Sequence, residues 1–157
     1  MKIRYKLMKQ PAPLPAMQPT GIPEQFSSIS ATTEQLSNPG QTVGGQPPVV
    51  IKTHPASGAR DILPGLTEIR VTFSKDMTDG SWSWTTAWPN SMPPIIGQPH
   101  YEPDHRTAVI KVNLEPGRTY GYWLNSERYH SFTDQSGHPA VPYLLIFQTR
   151  QPATTTE

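Results

Sequence analysis

Between Pro48 and Arg150, short runs of β-forming residues alternate with turns built from Pro, Gly, Asn and Asp. No stretch of ten or more residues shows a helical apolar period with caps, so the pattern calls for an all-β fold with minimal helix. The strands can be placed from alternation alone. Val49, Val50 and Ile51 form a first strand, closed by a turn over Pro55–Gly58. Ile69, Val71 and Phe73 alternate with Arg70, Thr72 and Ser74, which sends three large apolar groups to one face of a half-buried strand. Trp82 and Trp84 lie two apart and so point the same way, followed by Trp88 and a break from Pro89 to Pro94. Over Thr107–Leu114, Ala108, Ile110, Val112 and Leu114 face one side, and Thr107, Val109, Lys111 and Asn113 face the other.

The Glu115–Pro116–Gly117 turn has Pro and Gly where a type II turn needs them. After it, Tyr120, Tyr122 and Leu124 alternate with Thr119, Gly121, Trp123 and Asn125. A further turn covers Thr133–Gly137, and a last strand covers Tyr143–Thr149. With two short linking pieces this makes about seven strands, the number an immunoglobulin-like (fibronectin III-like) β-sandwich requires. Tyr120 begins its strand just past a Pro-Gly turn. Its ring can fill the core there while its hydroxyl reaches a nearby backbone group, as in a tyrosine corner.

Composition divides the chain. Its 157 residues include 19 prolines, more than twice the usual share of about 5%. From Gln10 to Gln46, Pro, Gln, Ser, Thr and Gly surround isolated apolar residues with no sustained period, and such a segment cannot offset its backbone entropy by burial. Residues 1–46 are expected to be a disordered Pro/Gln/Ser-rich linker, 47–150 the β-sandwich domain, and 151–157 a disordered tail. Pro11, Pro13 and Pro15 carry a local polyproline II tendency. A role as ligand for an SH3-type groove would want a flanking basic residue in register.

Several function classes fall away at this stage. A formal net charge of +1 does not fit binding to a phosphate backbone, so no nucleic-acid partner is expected. The chain has no cysteine, which removes disulfides, Cys-ligated zinc and a thiol nucleophile together. The basic start at Lys2, Arg4, Lys6 and Lys9 is followed by Gln10–Pro13 instead of an apolar run of about 7 to 15 residues, so no export signal is read. No window approaches the roughly 18 apolar residues of a spanning helix, and no membrane insertion is expected.

Of the five histidines, His100 and His105 straddle Asp104, while His130 and His138 flank Asp134. All but His130 fall in expected turns, and none has the spacing that converges two rings on one ion. The carboxylates Asp76, Asp79, Asp104 and Asp134 lack the alternating ligand order of a calcium loop, and hydrogen bonds within turns call for the same residues. His130 and Ser131 are neighbours, and adjacency on a strand sends two side chains to opposite faces. No nucleophile elbow, zinc-protease motif or phosphate loop is present, so neither an enzyme nor a cofactor site is expected.

The aromatic residues Trp82, Trp84, Trp88, Tyr101 and Trp123 are the candidate binding surface, with Tyr129 and Tyr143 nearby in type. Exposed, they would serve a protein contact, or stack on a carbohydrate through Trp82, Trp84 and Trp88; buried, they would cap the open ends of the sandwich.

Four segments, Thr53–Asp61, Ile69–Met77, Leu114–Tyr120 and Phe147–Thr149, together resemble the bacterial Ig-like domain of the SbsA type. They supply in order a Pro-x-x-Gly-Ala turn, a strand ending in Phe-Ser-x-x-Met, a Leu-x-Pro-x-x-x-Tyr corner and a final Phe-x-Thr strand. The resemblance spans roughly Pro47 to Arg150. It implies a noncatalytic module acting as a structural spacer or protein-interaction domain, carried with a partner or in a larger host protein. It also implies an extracytoplasmic setting, in the cell envelope or secreted.

Overall fold

The computed structural model describes residues 42–154. Residues 1–41 of the expected 1–46 linker and residues 155–157 of the expected 151–157 tail lie outside the described residues. The described chain runs through a short 3-10 turn (Val43–Gly45) and seven strands: β1 (Val50–His54), β2 (Gly65–Phe73), β3 (Trp84–Thr86), β4 (Ile95–Tyr101), β5 (Thr107–Leu114), β6 (Thr119–Leu124) and β7 (Tyr143–Gln148). They make a four-stranded sheet in the order β1-β2-β5-β4 and a three-stranded sheet in the order β3-β6-β7, antiparallel throughout. This is the all-β, immunoglobulin-like sandwich that the alternation predicts.

The core forms where the inward sets of the two sheets meet. Ile69, Val71 and Phe73 of β2 and Ala108, Ile110, Val112 and Leu114 of β5 are buried against Tyr120, Tyr122, Leu124, Leu145 and Phe147. Phe132 is carried into the same core by a loop and packs on Phe73, with ring centroids 5.1 Å apart. Burying this many large apolar side chains, each worth roughly 1.5–3 kcal/mol, is the main stabilising contribution. The corner at Tyr120 is built as expected: the ring is buried and the Glu115 N–H donates to its hydroxyl at 2.7 Å. Gly117, at φ 67°, makes the turn that aims it.

Three local readings differ from the structure. His100, expected in a turn, lies on β4, an edge strand that the sequence conceals because Gly97 and Pro99 interrupt it. The register slips between Ile96 and His100, and an edge tolerates both residues because one side of the strand needs no ladder donor. His54 likewise closes β1 instead of standing in the turn after it. His130 and Ser131 are not on a strand but in an exposed loop after β6. On the outward side of β5, Val109 is buried as well, between Arg70 and His100 on the flanking strands.

Candidate functional site

The two outward faces of the sandwich differ in chemistry. On the four-stranded sheet, Arg70 pairs with Glu68 at 2.7 Å and with Glu102, while Lys111 stands 3.8 Å from Glu68. Lys52, His54, Thr72, Asp104 and Thr107 complete a polar depression of about 540 Å³ on this face. It is the solvated surface expected of an antiparallel sheet covered on one side only.

On the three-stranded sheet, Thr85, Trp123 and Leu144 stand in one cross-strand row, and Gly121 and Ile146 in the next. No outward strand residue in these rows is charged. Trp88 extends the apolar set. The 87–91 segment follows the edge of β6, where the Ser91 hydroxyl donates to Gly121 O at 2.7 Å and accepts from Ala87 N at 2.8 Å. This folds the Trp88 indole onto Gly121, where a methyl group would come within 2.3 Å of the ring. Trp88 stays 39% exposed, so its outer face is available to a partner. At the far end, Trp123 and Pro142, with Ser126, Glu127 and Arg128, line a depression of about 430 Å³.

The five candidate residues therefore separate into two groups. Trp88 and Trp123 share the outward face just described. Trp84 turns inward, its ring edge-on to Phe132 at 5.4 Å and to Tyr122 at 6.4 Å, and packs against both halves of the core. Trp82 lies on Tyr101 at 5.1 Å with both rings half-buried, closing one end of the sandwich. Burial pushes the Tyr101 hydroxyl pKa well above the ordinary phenol range, with the Asp79 carboxylate adding to it. Trp82, Trp84 and Trp88 thus form no row on which a sugar could stack. The period-2 argument placed Trp82 and Trp84 together, and both do face the core side; Trp88 lies beyond the strand, where the period no longer applies.

Gly121→Ala tests the seat of Trp88. The backbone there needs no special φ, and the closest clash falls on the far end of the Trp88 side chain, which can swing outward, with the Ala87 Cβ a tight 3.0 Å away. The expected result is a change of no more than about 1–2 kcal/mol in stability, together with red-shifted emission and greater acrylamide quenching. Trp88→Phe should remove most of that added signal. Unchanged emission in Gly121→Ala would mean that the indole does not rest on Gly121.

Of the carboxylates that invited a metal reading, Asp79, Asp104 and Asp134 serve turns and Asp76 an ion pair. Asp104 accepts from Arg106 N and Thr107 N, each at 2.9 Å, and from the Thr107 hydroxyl at 2.6 Å. Asp79 accepts from Gly80 N at 2.8 Å, and Asp76 pairs with Arg106 at 2.6 Å. Asp134 accepts from Ser136 N and His138 N at 2.9 Å each, lies 3.1 Å from the His138 ring nitrogen, and pairs with Lys75. Burial alone would raise the Asp134 pKa, but Lys75, the two amides and His138 outweigh it and hold the carboxyl well below the usual range. Among the described residues no three metal-ligating side chains are grouped around a common point.

Asn125 is the site residue that sequence reasoning passed over. Strand parity puts it outward, yet at φ 57° it turns inward and is fully buried. Its amide nitrogen donates to Phe132 O and Ala140 O at 2.9 Å each, and its oxygen accepts from Phe132 N at 2.9 Å. One side chain thereby fastens the loop after β6 to the approach to β7. A buried left-handed Asn at a strand end is a signal only once the strand end is known.

Residues 45–149 match the family profile described as bacterial Ig-like domain. Among solved structures the chain is similar to "Structure of surface layer protein SbsC, domains 1-6", at 15% identity and a TM-score of 0.45, covering 70% of this chain and 14% of that one. No curated protein matches this sequence.

Proposed function

The chain belongs to the bacterial Ig-like domain family, and we propose that its sandwich serves as a noncatalytic structural spacer, set outside the cytoplasm as its resemblance to the SbsA type implies. The carrying observation is how the chain enters and leaves. The segment from Pro48 to Ile62 runs parallel to the one from Val141 to Arg150. Backbone bonds join them at the two ends, Val141 N to Pro48 O at 2.9 Å at one, and Gly58 N to Ile146 O at 2.6 Å, Gln148 N to Ala59 O at 2.8 Å and Arg150 N to Ile62 O at 2.8 Å at the other, while β1 between them pairs with β2. Ile62 and Thr149 form a parallel bridge. Parallel first and last segments put the points where the chain enters and leaves the sandwich at its opposite ends, on the order of 30 Å apart for the ten residues of an extended 141–150 segment. That is the geometry of a unit joined in series.

Tension applied along such a unit loads the bonds between the two segments together, in shear. Held by handles at Gln46 and Gln151, the module should rupture in one cooperative event, and Ile62→Pro, which deletes the Ile62 N–H bond to Gln148 O, should lower the rupture force. Gradual lengthening at low force would overturn the spacer reading.

The uncharged outward face of β3, β6 and β7 favours a protein contact as a second role, since apolar rings there are what an interface core uses. Soluble oligosaccharides should leave the tryptophan emission unchanged. A saturable shift on adding them would move the assignment to carbohydrate binding.

A further inference from the structure

On the face formed by β3, β6 and β7, charge is confined to the two ends of the strands. At one end Arg60 lies beside Thr119, Ile146 and Gln148, on the 57–62 segment that continues the sheet past β7. At the other end Glu127 borders the depression lined by Trp123 and Pro142. Arg118 and Arg150, near Arg60, are paired with Glu115 and Asp61, and Arg128, next to Glu127, lies over the Tyr129 ring at 5.7 Å. Arg60 and Glu127 have no ion-pair partner among the described residues. One face therefore carries an apolar centre, an unmatched cation at one end and an unmatched anion at the other.

The edges of the two sheets offer no comparable surface. β1 bulges between Val50 and Lys52, β4 slips register between Ile96 and His100, β3 is three residues long, and the 57–62 segment covers β7. Each device blocks the addition of a strand from another chain, so the face is what remains for association.

We propose that this face binds a second copy of the chain, face to face, about a two-fold axis that lies in the interface and runs across the strands. Such an axis reverses the strand direction. It sets the Glu127 end of one copy over the Arg60 end of the other and forms two equivalent ion pairs. Midway between the charged ends lie the Gly121 and Trp123 rows, so the axis sets these opposite each other and each Trp88 meets the partner's Trp123. An axis along the strands would put like ends together instead. The inference rests on the protein-contact reading of this face and names its partner. Four adjoining segments about 4.8 Å apart and about 20 Å long present on the order of 400 Å² per copy, half the share of a standard interface, so the pairing is weak, with a dissociation constant on the order of 100 μM.

Sedimentation velocity of the full chain between about 10 μM and 1 mM tests this pairing. The native protein should pass from monomer to dimer over that range, and Trp88→Ala should remain monomeric. Arg60→Glu and Glu127→Arg change exposed side chains and leave the fold intact. Each should weaken the dimer at least about fivefold, because each turns two attractions into two repulsions. The double variant Arg60→Glu/Glu127→Arg restores opposite charges across the axis and should recover native pairing. Monomers at 1 mM, or a double variant that pairs no better than the single ones, would overturn the proposal. Neither result touches the protein-contact reading itself, which fails instead if soluble oligosaccharides shift the tryptophan emission.

Discussion

Asn125→Ala is expected to destabilise the domain by roughly 4 kcal/mol, enough to unfold a large fraction of a module of ordinary stability. The substitution leaves the buried Phe132 N–H and the Ala140 carbonyl without their partner and takes one of two donors from the Phe132 carbonyl, which keeps the Ala140 N–H at 2.8 Å. Each buried group left unsatisfied costs about 1–3 kcal/mol, and the left-handed backbone at φ 57° suits Ala less well than Asn. Asn125→Asp separates the causes. It keeps an acceptor for Phe132 N but turns a buried charge toward two carbonyls, so it should be at least as damaging as Ala. Asn125→Gly relieves the backbone without restoring any bond and should recover only a small part of the loss. Chemical denaturation midpoints of the three variants give the ranking; a loss under 1 kcal/mol for Asn125→Ala would show that water replaces the amide and that the site is less dry than its burial indicates.

The second large effect is at Asp134. Removing its carboxylate by Asp134→Ala leaves the Lys75 ammonium buried without its counter-charge and frees the Ser136 and His138 amides, a change expected to cost about 3–5 kcal/mol. The same carboxylate gives stability a pH dependence whose direction follows from its depressed pKa. An unfolded Asp titrates near 3.9, and the folded one titrates lower. The contribution is therefore complete above that unfolded value and is lost as pH falls below about 4 toward the folded value. Asp104 adds to the same trend: burial raises its pKa, but the Thr107 hydroxyl and the Arg106 and Thr107 amides lower it by more. The urea midpoint should hold steady from pH 7 to 5 and fall toward pH 3. Asp134→Asn, which keeps an acceptor and cannot ionise, should be less stable at pH 7 and show a shallower acid decline. A native midpoint that is flat down to pH 3 would contradict the assignment.

The sandwich was legible in the sequence wherever a strand pairs on both sides. β2, β5 and β6 each carry an unbroken alternation, since a one-residue slip would turn every large side chain to water. β4 was not legible. An edge strand is paired on one side only, so Gly97 and Pro99 survive within it and erase the pattern that marks the others. The uses of Asp104 and Asp134 could also be anticipated, because a carboxylate in a turn commonly bonds amides a few residues on.

For the candidate surface, the sequence by itself determined the aromatic inventory, the parity that sends Trp123 outward between inward-facing Tyr122 and Leu124, and the Pro-Gly turn that aims Tyr120 into the core. These are local properties, fixed by the two-residue repeat of a strand and the φ that a turn demands. Only the tertiary structure decided that Trp84 belongs to the core, that Trp88 lies on Gly121, that Asn125 reaches back to Phe132 and Ala140, and that Lys75 pairs with Asp134. In each of these cases the deciding partner comes from a different strand or loop. Two sheets must pack face to face before such groups meet, and the closure of long loops that brings them together leaves no period in the sequence.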